Sequence, residues 1–158
     1  MNLEDDRFSF VIRPKPVAGD MRIGWRLAVT LLILSHSKGK KASLAKLNLM
    51  NDAIRSESSR SKLVQLLSKE IPLRDWRMRV EPAFSRNLDF VVGEGFAEWI
   101  VVSARAAIQL TAKGIDAADE VLSKTDLLEI EKEFIKIVSN SVTEKFVKQV
   151  TTAGHKLI

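Results

Sequence analysis

At 158 residues and 46% apolar, the chain can bury one ordinary core, and its lack of cysteine excludes disulfide staples, thiolate zinc sites and cysteine nucleophiles. Its net charge of +5 is unevenly spread: residues 1–80 carry 16 Lys/Arg against 8 Asp/Glu, a balance of +8, and residues 81–158 carry 9 against 12, a balance of −3. A positive half attracts phosphate backbones or an acidic protein face, or is merely well solvated; the charge alone specifies none of these.

With two histidines, His36 and His155, and no Glu/Asp/His spacing of a known ligand pattern, neither a metal nor another cofactor is expected. The longest apolar run, Leu27 to Leu34 broken only by Thr30, falls far short of the roughly 20 residues a membrane span needs. The chain opens on Glu4, Asp5 and Asp6 rather than on a basic region feeding an apolar stretch, so no signal peptide is expected. The expectation is a soluble cytoplasmic protein with no membrane partner.

Residues 1–20 read as an N-terminal arm. After the acidic cluster, Phe8, Phe10 and Ile12 alternate with Ser9, Val11 and Arg13 before Pro14-Lys15-Pro16, as in an edge strand or docking segment. Three large apolar groups on one face need a cover, either this chain's own core or a partner. Asp20 suits the cap of a helix from Met21, with Ile23, Leu27, Leu31 and Leu34 at helical spacing and Val29, Leu32 and Ile33 widening the apolar surface into a central helix. Ser43 is placed to cap a second helix carrying Leu44, Leu47, Met50 and Ile54. Glu57 to Glu70 reads as a third, with Leu63, Leu66 and Leu67 as its buried stripe and Pro72 as its stop. Leu73 to Val80 reads as extended and gathers Arg74, Arg77 and Arg79 beside Trp76. Such a cluster contacts phosphates or stacks on a base in nucleic-acid proteins; otherwise it is a core tryptophan fringed by arginines.

Glu81 to Gly114 organises the rest. Pro82 suits a first helical position, and Phe84, Leu88, Val91 and Val92 follow on one face until Gly93 and Gly95 end the helix. Phe96 to Val102 is rich in aromatic and β-branched residues, Ser103 to Ala106 can turn, and Ala107 to Thr111 returns as a second strand. Further helices are expected from about Ile115 to Ser123, from Asp126 to Val138 with Thr125 as cap, and from Ser141 to Val150, with the tail after Thr151 fraying. Leu127, Ile130, Phe134 and Ile137 form an amphipathic stripe suited to packing on a domain or a partner. The fold predicted is mainly α with a small β-hairpin: an arm over 1–20, a winged helix-turn-helix domain over 21–123, and a C-terminal helical extension over 124–158.

Leu110-Thr111-Ala112-Lys113-Gly114 is similar to the segment that closes the wing and opens the next helix in bacterial winged-helix proteins, and Ser85 to Leu88 followed by Gly93 to Phe96 is similar to their third helix and its exit. In size, in its apolar first helix, and in Glu81-Pro82-Ala83, Glu94-Gly95-Phe96 and Leu110 to Gly114, the chain also resembles the middle components of bacterial ABC-three-component antiphage systems, the Lamassu group among them. That resemblance implies a non-catalytic accessory subunit joining an SMC-like ATPase to an effector subunit such as a nuclease.

An enzyme is not expected, because there is no Gly-rich phosphate loop, no nucleophile elbow and no histidine paired with a Ser or acid at a diagnostic spacing. A winged-helix DNA-binding regulator is the alternative, with Arg86 and Asn87 as candidate contacts to base edges of double-stranded DNA and Arg105 as a candidate minor-groove contact. From Glu81 to Glu94 there is one Arg and three acids, a poor balance for a phosphate-facing helix. The candidate surfaces are therefore Phe8, Phe10, Ile12, Leu127, Ile130 and Phe134 for protein partners, and Arg74, Arg77, Arg79, Arg86, Asn87 and Arg105 for DNA.

Overall fold

The structure, a computed structural model, describes residues 19–155; the arm residues Phe8, Phe10 and Ile12 lie outside the described residues. Helix α1 (Gly19–His36) leads through a 3-10 turn to strand β1 (Lys41–Ser43), then to α2 (Leu44–Ile54) and α3 (Glu57–Leu67). A second 3-10 turn, Leu73–Asp75, precedes α4 (Pro82–Gly93), the hairpin β2 (Ala97–Val102) and β3 (Arg105–Leu110), and helices α5 (Ala112–Ser123), α6 (Glu129–Val138) and α7 (Glu144–His155). The strands form one antiparallel sheet in the order β1-β3-β2. A mainly helical winged-helix-like fold results, in which α3 and the chain after it separate α2 from the helix that feeds the wing. None of the described helices is long and apolar enough to cross a membrane.

The buried core draws on every helix. Leu31 to Leu34 of α1, Leu47, Met50 and Ile54 of α2, Leu63 and Leu66 of α3, Phe84 and Leu88 of α4, Ala118 of α5, Ile135 of α6 and Val147 of α7 pack as one cluster with Ile108 of the sheet. Polar ties fix how the helices meet. The Trp25 indole donates to Glu131 at 2.9 Å, joining α1 to α6, and Arg26 pairs with Glu81 at 2.8 Å, joining α1 to the start of α4. Ser43 donates to the Glu144 carboxylate through its backbone N–H at 3.0 Å and its hydroxyl at 2.6 Å. A negative group at the N-terminus of α2 is favourable, so this contact anchors α7 on the body.

Several boundaries differ from the sequence expectation. Helix α1 starts at Gly19 rather than Met21, and α3 stops at Leu67 rather than Glu70 because Lys69 adopts φ 61° and the Glu70 N–H returns to the Gln65 carbonyl. The short connection after α1 becomes β1, paired with Gln109, Ile108 and Ala107. Helix α5 begins at Ala112, three residues early, because Thr111 caps it through Gly114 N–H at 3.1 Å. Helix α6 begins only at Glu129, behind Leu128 at φ 55°, so Thr125 is not its cap; α7 is capped by Thr143 and runs past Thr151 to His155. The hairpin turns on two residues, Ser103 and Ala104, at φ 52° and 62°, and β3 therefore starts at Arg105.

The wing is locked to α4 by a close set of contacts. Gly95, at φ 79°, ends α4 with its N–H on the Val92 carbonyl and the Phe96 N–H on that of Val91, both near 3 Å. Thr111 then returns to the same spot, donating its hydroxyl to the Gly95 carbonyl at 2.6 Å and its N–H to the Phe96 carbonyl at 3.0 Å. Lys113 donates to the Glu94 carbonyl at 2.6 Å with its ammonium 4.7 Å from the Phe96 ring centre. A Cβ on Gly114 would sit 1.8 Å from the Phe96 carbonyl oxygen, far inside the about 3.3 Å that a carbon–oxygen contact tolerates.

Gly114→Ala is therefore expected to cost about 3 kcal/mol or more, and Thr111→Ala about 1 kcal/mol, in chemical denaturation; near-wild-type stability of Gly114→Ala would refute the close approach. Ala104→Gly, which relieves a left-handed alanine in a two-residue hairpin turn, should raise stability by about 1 kcal/mol.

Candidate functional site

Three surfaces offer chemistry. The first is the exposed side of α4 with the wing. Helix α4 turns Phe84, Leu88 and Val91 inward and leaves Ser85, Arg86, Asp89, Phe90 and Glu94 exposed. Glu81, the third acid of this stretch, is occupied within the fold by Arg26 and, at 3.4 Å, by the Asn51 amide. Asn87 does not face outward: it is 6% exposed and donates to the Thr30 hydroxyl at 2.9 Å, while Thr30 donates to the Arg26 carbonyl. The expectation that Asn87 reads base edges is thus overturned by its position on the inner side of α4. The Asn87 side-chain oxygen, Oδ1, is buried without a hydrogen-bond partner among the described residues.

The wing adds apolar surface. Strand β1 is only three residues long and pairs with Ala107 to Gln109, so the hairpin beyond Ala107 stands as a two-stranded ribbon. Along β2, Ala97 is buried beside Leu110, whereas Trp99, Val101 and Val102 emerge, Val101 to 76%. Arg105 is exposed at the tip.

The second surface is an open cleft of about 760 Å³ beside α3, lined by Ser58, Lys62, Gln65, Ile71, Arg74 and Arg77 among others. Both arginines are exposed. Trp76 is buried at 3%, with Lys62 5.8 Å from its ring centre, so it is part of the core and offers no stacking face. Arg79 is exposed. Burial pushes the Asp52 carboxyl above its usual range, against the pull of Arg55 and Arg79.

The third surface is a groove of about 400 Å³ between α3 and α6, bordered by Arg60, Val64 and Gln65 on one side and by Ile130, Glu133, Phe134 and Ile137 on the other. Ile130 and Ile137 are 60% and 62% exposed, and Leu127, just ahead of α6, is also exposed. Phe134 is 6% exposed and belongs to the core, so it forms the floor of the groove and is not a projecting anchor.

Sequence reading missed Val64, Phe90, Trp99 and Val101. Trp99 and Val101 occupy strand positions that normally signal a buried face, yet both are exposed on β2, an edge strand of the sheet. Val64 sits beside the buried stripe of α3, and its exposure follows from where α6 lies.

No protein-family model, no curated protein and no solved structure matches the chain.

Asn87→Asp, which places a carboxylate beside Thr30, is expected to destabilise the fold by about 2 kcal/mol or more at pH 7. Arg86→Ala should stay within about 0.5 kcal/mol of wild type. Equal, small effects in urea unfolding would contradict the inward placement of Asn87.

Proposed function

We propose that the chain is a non-catalytic accessory subunit that uses its winged helix to grip protein, joining an SMC-like ATPase to an effector subunit in an ABC-three-component antiphage complex in the cytoplasm. The observation that carries this reading is the chemistry of α4 and the wing. Phe90, Trp99, Val101 and Val102 are exposed there together with Asp89, Glu94 and Glu98, against Arg86 and Arg105, three acids to two bases. A phosphate-facing surface gains from positive charge and counterion release, and this one has neither an excess of charge nor Asn87 to offer. Exposed aromatic and β-branched side chains bordered by acids suit a protein partner, in which they become buried anchors. The choice of complex rests on the motif resemblance of Glu81-Pro82-Ala83, Glu94-Gly95-Phe96 and Leu110 to Gly114.

A DNA-binding regulator is the second reading, favoured by the exposed Arg105 at the wing tip and by Arg74 and Arg77 on the basic cleft.

Expression with the neighbouring genes of its operon should yield a complex containing a large ATPase and a second subunit. Trp99→Ala with Val101→Asp should weaken that assembly at least tenfold in a binding titration while leaving the melting temperature of the isolated chain unchanged. A chain that elutes alone as a dimer and binds one DNA sequence, with the affinity lost in Arg86→Ala and Arg105→Ala, would replace the proposal with the regulator.

A further inference from the structure

The basic cleft and the apolar groove lie on opposite flanks of the same helix, α3, and share Ser61 and Gln65 in their walls. Across this surface the chemistry runs in a fixed order. Trp25, in the second turn of α1, bonds to Glu131, which adjoins the groove residue Ile130 on α6. Beyond α6 comes the groove with Ile130, Ile137 and Val64, bordered by Arg60 and Glu133; beyond α3 comes the cleft, where Lys62, Arg74 and Arg77 outnumber its one acid, Asp75.

The segment ahead of α1 has the matching order. Read backward from Gly19, Ala18 to Arg13 form a six-residue spacer containing Pro14 and Pro16, then come Ile12, Phe10 and Phe8, and then Asp6, Asp5 and Glu4. Six extended residues span up to about 20 Å, enough to cross α6 from the start of α1. From Phe8 back to Asp5 is three residues, about 10 Å when extended, which equals the width of a helix. Apolar residues thus meet apolar groove as acids meet basic cleft.

We propose that residues 4–12 of the same chain dock across α3, with Phe8, Phe10 and Ile12 in the α3/α6 groove and Glu4, Asp5 and Asp6 against Lys62, Arg74 and Arg77. The occupant is intramolecular because the spacer tethers it beside its site, which gives it a far higher effective concentration than a second copy in dilute solution. The proposal concerns the isolated chain and does not rest on the ATPase reading; each can fail without the other.

The absence of cysteine from the sequence makes the test clean. In the full-length chain, Phe10→Cys combined with Ile130→Cys should form a disulfide under mild oxidation within single molecules, seen as a faster-migrating monomer on a non-reducing gel. The control pair Phe10→Cys with Val101→Cys, whose second site is on the exposed wing, should crosslink at least tenfold more slowly. Reversal of Glu4, Asp5 and Asp6 to Lys should slow the groove crosslink several-fold. A disulfide-linked dimer, equal rates at groove and wing, or no crosslink would overturn the proposal, and a rate unchanged by charge reversal would overturn the placement of the acids.

Discussion

The return of Thr111 to the end of α4 is the contact on which the rest of the fold turns. Gly95 lets the chain leave α4 in a left-handed conformation, and the carbonyls of Glu94, Gly95 and Phe96 are all taken by Lys113 and Thr111. The same threonine caps α5 through Gly114. One residue therefore closes one helix, opens another and sets the base of the hairpin between them. The angle between α4 and the wing follows from this lock, and Gly114 is tolerated where any side chain would collide with backbone.

The C-terminal helices enter the same core by a different route. Glu144 satisfies both the N–H and the hydroxyl of Ser43, at the start of α2, and burial of Lys46 beside it lowers the lysine's pKa while Glu144 opposes that shift. Val147 and Val150 of α7, with Ile135 and Val138 of α6, are buried with the helices of the wing-bearing part. That packing places α6 alongside α3 and so creates the groove, a feature that belongs to neither helix alone.

Two burial events decide what the winged helix offers. Thr30 holds Asn87 inside, which removes the best base-reading side chain of α4, and Trp76 is inside, which removes the stacking platform from the basic cluster. What stays outside is apolar and acidic on α4 and the wing, and basic beside α3. These opposite surfaces underlie the proposal that the chain meets more than one partner.

Much of the architecture was legible in the sequence, because capping residues, helical periodicity and turn glycines act locally. Pro82, Ser43, the Leu63 and Leu66 stripe and the Leu110 to Gly114 motif each announced an element that is present, and the helix–wing–helix order followed from them. Elements fixed by contacts across the chain were not legible. Strand β1 exists because β3 lies beside it, and the late start of α6 depends on Leu128 taking a left-handed conformation. Site residues divided the same way. Charge and exposure at Arg74, Arg77, Arg86 and Arg105 could be read from side-chain chemistry, since long charged groups stay in water. Whether Asn87, Phe134 and Trp76 face outward was settled only by how α4, α6 and the segment after α3 pack, because an amphipathic pattern marks a stripe but not the residues at its edge.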